Sequence, residues 1–203
     1  TIHEKAECCV GATKDRLDKG QITQNNLPNT STKMTLKKKI LIGLLAIIAI
    51  GFLIPQNLKM PVAGANKNSY NHNTFWYEGW GSSVVHKGVD VFARKGTSLH
   101  SSTWGLVLFT ADYGKGGKFV IILGPKWRLH YYAHLDEIKT HPLAFVTQST
   151  EIGTVGNSGN AASTPAHLHY GIATMVPYPW RIDSAPLGWQ KMFYLNPIDY
   201  LED

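Results

Sequence analysis

The stretch GKFVIILGPKWRLHYYAHLD, Gly117 to Asp136, decides the fold. It contains two β-rich runs, GKFVIILG (117–124) and RLHYYAHLD (128–136), with Gly124 marking the turn between them. The same texture continues outward on both sides. SVVHKGVDVFA (83–93), SLHSSTWGLVLFTAD (98–112), TEIGTVGN (150–157) and AHLHYGIAT (166–174) read as short strands. Gly105, Gly114, Gly116, Gly117, Gly153, Gly156 and Gly159 punctuate them as turns or bulges. No convincing amphipathic helix follows residue 60, so the expected fold is all-β, a sandwich or barrel. Val176 to Asp203, with four prolines and two tryptophans, reads as an irregular C-terminal wrap.

The upstream third has another character. Residues 1–33 are polar and aperiodic and are expected to be disordered. Cys8 and Cys9, the only cysteines, are adjacent and lie in this tail, so the remainder has neither a disulfide nor a thiolate nucleophile. Met34 opens what reads as a complete targeting segment and is a candidate start of the natural product. Three lysines, Lys37 to Lys39, precede fifteen apolar or glycine residues, Ile40 to Ile54, which Pro55 closes. At ~1.5 Å per residue that run spans ~22 Å as a helix, against a hydrocarbon core ~30 Å thick. Snorkelling lysines can cover part of the deficit. Residues 34–55 are therefore expected to be a signal anchor or a cleaved signal peptide, the anchor being favoured. Ala63-Gly64-Ala65 would suit cleavage but lies far beyond the apolar run. The lysines place the N-terminal side in the cytoplasm, so a membrane contact through residues 40–54 sends the rest of the chain outside it. Residues 56–75 read as a linker that could cover a groove, 76–175 as the folded domain and 176–203 as the wrap.

Charge narrows the partners. The net charge of +6 is concentrated in residues 1–65, which carry nine Lys/Arg against four acids, whereas residues 66–203 carry eleven against ten. No Lys/Arg run is present there to neutralise a row of phosphates, so no nucleic-acid partner is expected.

Among nine histidines, His86, His134, His167 and His169 stand out by spacing, together with Asp90. HKGVD supplies His86 and Asp90, YYAHLD supplies His134, and HLH supplies His167 and His169. Imidazole and carboxylate suit zinc, and three protein ligands plus a water describe a catalytic site. In a flat strand His86 and Asp90 would stand ~13 Å apart, too far to share an ion comfortably. Gly88 between them permits a bend. His167 and His169 are ~6.6 Å apart on one strand face, so one can ligate while the other faces the substrate. Each motif alone is weak: a surface pair, a chance alternation and a lone histidine. Together, in one β-rich and thiol-free domain, they point to a metal site. His72, His100 and His141 lack such company and are assigned to surface or loop roles. His130 shares the alternation face of Tyr132 and His134 and is either a rim or a packing residue.

HKGVDVFARKGT, GLVLFTADYGKGGKFVIILG, YYAHLD, EIGTVGNSGN and PAHLHYGI, in this order and spacing, resemble the lysostaphin/LytM-type zinc metallopeptidases that cleave peptidoglycan. The resemblance covers roughly residues 60–175 and implies a compact, mostly antiparallel β-sheet sandwich behind one hydrophobic helix, with the site in a groove. It implies Zn2+ held by His86, Asp90 and His169, and catalytic roles for His134 and His167, without saying which is the base. The implied partners are peptidoglycan peptides, and the implied location is the bacterial cell envelope. HPLAFVTQSTEIG, His100 and Gly171 depart from the family pattern, which bears on groove shape rather than on the five chemical residues. The rival class is a non-catalytic envelope protein that binds peptidoglycan or activates another cell-wall hydrolase. Lost ligands would be its signature, and all five positions are filled.

Overall fold

A computed structural model describes residues 34–80 and 83–202. The tail expected to be disordered over residues 1–33, with Cys8 and Cys9, lies outside them. Among the described residues one α-helix, α1 (Leu36–Leu53), precedes eleven strands: β1 (Leu58–Lys59), β2 (Val89–Phe92), β3 (Ser98–His100), β4 (Gly105–Tyr113), β5 (Gly117–Gly124), β6 (Arg128–Ile138), β7 (Phe145–Val146), β8 (Glu151–Val155), β9 (His167–Thr174), β10 (Tyr194–Leu195) and β11 (Leu201–Glu202). The fold is a mostly antiparallel β-sheet, as the sequence suggests. Nine strands form one sheet along the path β10-β9-β6-β5-β4-β7, with β2 added to β9, and β8 joining β6 to β3. β1 and β11 form a separate parallel pair that ties the two ends of the domain together.

Alternation in the central strands builds the core. Val120 and Ile122 of β5, His130 and Tyr132 of β6, and Leu168, Tyr170 and Ile172 of β9 are all fully buried. Val89 and Val91 of β2 join them from the neighbouring strand, and Leu58, Val62 and Tyr70 seal the cluster from upstream. Residues 56–75 therefore pack into the core, with Val62 bridged to Leu99 and Tyr70 to Val91. They do not line the groove described below.

Alternation fails at one place in β6, and the failure matters. His130, Tyr132 and His134 should share a face, yet the β5–β6 register shifts between Lys118 and Val120. His134 takes a left-handed φ of 65°. The resulting bulge inserts an extra residue and turns the His134 side chain to the face of Tyr131 and Ala133. His130 stays inside, so it is a core residue and not a rim residue. Its Nδ1–H faces the Tyr170 hydroxyl at 2.7 Å, and its Nε2 accepts from the Gln56 amide at 3.0 Å.

The first turn of α1 carries Lys37 to Lys39, and the apolar side chains beyond it, Leu41 and Leu45 among them, are exposed. Near its C-terminal end it packs on the β5–β6 turn, where Trp127 Nε1 donates to the Ile48 carbonyl at 3.0 Å and Lys126 Nζ to that of Phe52 at 3.3 Å. No helix among the described residues is long and apolar enough to cross a membrane. The anchor expected through residues 40–54 is thus not supported, because the lysines take up the first turn and leave the apolar part short of ~30 Å.

Candidate functional site

Strand register assembles the floor of the site. Asp90 of β2 lies opposite His169 of β9, and Ala133 of β6 lies opposite the same residue on the other side. Cross-strand neighbours stand ~4.5–5.5 Å apart at Cβ, close enough for one side chain to touch the next. Leu168 and Tyr170 point into the core, so His167 and His169 both point away from it. His86 precedes the start of β2 and reaches back over Asp90, which the straight-strand spacing would forbid. Gly88 makes this possible through close packing and not through an unusual φ. A Cβ there would come within 2.5 Å of the Tyr170 carbonyl oxygen and 2.9 Å of the His169 ring.

Three ligand-type atoms converge on that floor. Asp90 Oδ1 is 3.0 Å from His86 Nε2 and 2.8 Å from His169 Nδ1, and those two ring nitrogens are 3.0 Å apart. His86 gives its other nitrogen, as Nδ1–H, to the Thr74 carbonyl at 3.1 Å. A carbonyl only accepts, so Nε2 presents its lone pair to the cluster. Ligands at ~2.0–2.2 Å around a tetrahedral ion stand roughly 3.3–3.5 Å apart, so this set fits a metal after opening by roughly a few tenths of an ångström. His86, Asp90 and His169 could therefore hold a metal ion. Burial alone would raise the Asp90 carboxyl, but the His169 and His86 imidazoles beside it outweigh burial and hold the group well below the usual carboxylate range. Burial lowers His169, against the pull of Asp90, and favours the neutral ring that a metal needs.

Two further imidazoles stand beside this set. His134 donates Nδ1–H to the Ser158 carbonyl at 2.9 Å, and His167 donates Nδ1–H to that of Pro165 at 2.8 Å. Each is left with Nε2 as a free acceptor. Their ring centroids are 5.1 Å apart, and that of His134 is 6.0 Å from that of His169. His167 Nε2 is 4.0 Å from the second Asp90 oxygen. Burial, followed by the neighbouring His169 and His167 rings, pushes His134 down to about 4, so it is neutral at physiological pH.

A groove of about 470 Å³ opens over the cluster, within the usual size of a ligand site. Its walls include Trp80, Lys87, Lys115, Tyr131 and Asn160, with His86, His134 and His169 at its base. Trp80 stacks on the His86 ring at 4.1 Å between centroids and 22° between planes. The five residues singled out by spacing are thus brought together, whereas His72, His100, His130 and His141 lie elsewhere. Sequence reasoning missed Thr74, the Ser158 and Pro165 carbonyls, Trp80 and Tyr131. Backbone acceptors leave no mark on side-chain patterns. The glycines around Ser158 were the one available signal.

The chain is similar to known proteins in sequence and fold. Residues 84–178 match the family described as Peptidase family M23. They are a peptidase M23 domain. All five residues of the constellation fall inside it. The chain is 32% identical over 142 residues to the L-Ala–D-Glu endopeptidase of Bacillus subtilis, covering 63% of this chain and 43% of that protein. It is 32% identical over 85 residues to the peptidoglycan DD-endopeptidase ShyA of Vibrio cholerae, covering 42% of this chain and 19% of that protein. The chain thus spans less than half the length of these curated relatives. In fold, the M23 domain is similar to the solved structure of lytM from Ruminococcus gnavus. That match has a TM-score of 0.56 at 21% identity and covers 80% of this chain and 66% of the other.

Proposed function

We propose that the chain is a zinc-dependent endopeptidase that hydrolyses peptide bonds of peptidoglycan stem peptides or cross-bridges outside the cytoplasm. One observation carries the reading: a three-ligand cluster of two imidazoles and a carboxylate lies beside two further imidazoles whose free Nε2 atoms flank it. A closed structural metal site has no use for the second pair. The names of the two curated relatives, an L-Ala–D-Glu endopeptidase and a peptidoglycan DD-endopeptidase, support the substrate class.

In this reading His86 Nε2, Asp90 Oδ1 and His169 Nδ1 hold the ion. Bound there, zinc would supply Lewis acidity and bring the pKa of a coordinated water down to ~7. Thr74 fixes the His86 ring by accepting its Nδ1–H, as a second-layer carbonyl does for metal-bound histidines. His134 sits neutral, and both it and His167 turn Nε2 away from the carbonyls that hold their Nδ1–H groups. One accepts the proton of the attacking water and passes it to the leaving amine. The other donates to the oxyanion of the tetrahedral intermediate, a role worth ~2.7–4 kcal/mol per donor. For that donation the ring must first take a proton from solvent on Nε2, becoming an imidazolium that keeps its Nδ1–H on the carbonyl.

Incubating the purified chain with peptidoglycan sacculi tests the reading. Chelator-sensitive release of peptides with new amine termini is the expected result. Binding to sacculi without any new amine terminus would instead place the chain among non-catalytic envelope proteins.

A further inference from the structure

We propose that the groove selects peptides that carry a free carboxylate, held between Lys87 and Lys115. The inference rests on the peptidase reading and adds the charge of the substrate. The two lysines line the groove, and its lining residues include no aspartate or glutamate. Asp90, in the cluster below, is committed to His86 and His169. The groove is therefore locally cationic although the region from residue 66 onward is close to neutral.

Lys87 follows the ligand His86 directly, so its position is set by the metal cluster itself. It is half-buried and makes no ion pair among the described residues, and its Nζ lies 5.2 Å from the centre of the Tyr194 ring. Partly out of water, its ammonium finds no counter-ion among the described residues. A substrate carboxylate would supply that counter-ion. Lys115 sits on the turn Gly114–Gly116, whose neighbour Gly117 is packed against Ser158 and Gly159. The Lys118 amide donates to Ser158 Oγ at 2.9 Å, which ties this turn to the loop carrying Asn160. A charge on a fixed turn orients a ligand better than one on a mobile loop. Tyr131 and Asn160 add neutral donors on the same wall. Ammonium, amide and phenol groups together are complementary to a carboxylate and offer little to a peptide of uncharged residues alone.

The test uses the full metal-loaded chain and two synthetic peptides: one containing L-Ala–D-Glu with the D-Glu carboxyl free, the other its isosteric carboxamide. Calorimetry reads affinity, and amine release separately reads hydrolysis. The free acid is expected to bind about fivefold tighter or more, as a partly buried ion pair allows. That preference should shrink from about 50 mM to about 500 mM salt. It should also fall toward unity in Lys115→Gln combined with Lys87→Gln, with metal stoichiometry unchanged. Affinities within about twofold of each other, no binding of either peptide, or a preference that survives in the double variant would overturn the inference. Preferential binding of the acid without hydrolysis would sink the peptidase reading alone. Equal binding and equal cleavage would sink only the charge selection.

Discussion

His134 and Ser158 are locked together beside the groove. The bulge in β6 turns the His134 ring outward at a φ of 65°, and the Ser158 carbonyl captures its Nδ1–H at 2.9 Å. A left-handed φ on a non-glycine residue is unfavourable and persists only where the surroundings impose it. Here the hydrogen bond and the register shift impose it together, so the tautomer and the direction of Nε2 are set before any substrate arrives.

His134→Ala should therefore separate chemistry from metal binding. The variant is expected to keep one metal per chain, since its ring makes no contact of ligand type with the cluster. Its kcat should fall by ~10²–10⁴, the usual worth of a positioned proton-transfer group, with KM little changed. Metal analysis alongside steady-state kinetics on peptidoglycan fragments checks this. Loss of metal together with activity would move His134 into the ligand set.

His169→Ala should do the opposite. It removes the nitrogen that faces both Asp90 Oδ1 and His86 Nε2 and leaves a buried carboxylate with a single imidazole partner. Metal should be lost, and activity with it. Chelation of the native chain should likewise remove the metal and lower its stability. At free metal about 100 times its dissociation constant, the ion contributes about 2.7 kcal/mol, visible as a lower Tm in chelator. Retained stoichiometric metal in the variant would refute the ligand assignment.

Gly88→Ala is expected to be costly although no left-handed backbone is involved. The added methyl group would meet the Tyr170 carbonyl oxygen at 2.5 Å and the His169 ring at 2.9 Å. Backbone oxygen cannot swing aside, so β2 must move away from β9 and draw Asp90 out of line with His169. About 1–3 kcal/mol of destabilisation follows, with weaker metal binding. Urea denaturation and metal titration of the variant measure both effects.

Sequence patterning carried most of the fold and the site, and where it failed the causes are local. GKFVIILG is β5 residue for residue, and the alternation in HLHYGI assigns the core face of β9 correctly. Both segments lie in regular ladders, where a period of two holds. The face of His134 was illegible because a bulge breaks that period without a signature residue such as glycine. Gly88 was singled out for the bend it permits and not for the close approach that actually requires it. Close approach depends on a strand eighty residues away, which no local pattern records. The role of residues 56–75 escaped for a similar reason. Leu58, Val62 and Tyr70 are too widely spaced to form a periodic run, yet each drops into the same core.

The buried His130 should make stability depend on pH. Burial first, then the charge of Arg128, pushes its pKa down to about 3, against ~6.5 for an exposed histidine. Between those two values the unfolded chain binds a proton that the folded chain refuses. Stability is accordingly full above pH ~6.5 and is lost as pH falls toward 3, by ~1.4 kcal/mol per unit for this one group. At pH ~4 the loss from His130 amounts to about 3 kcal/mol. His134, pushed down to about 4, adds a second contribution of the same sign. His130→Gln gives up the bonds to Tyr170 and Gln56 and should start less stable at pH ~7. Its stability should nevertheless fall less steeply on acidification, because the residue that refuses the proton is gone. Urea unfolding of both proteins at pH ~7, ~5.5 and ~4 gives the two slopes. Parallel slopes would mean that His130 is not the group that takes up the proton on unfolding.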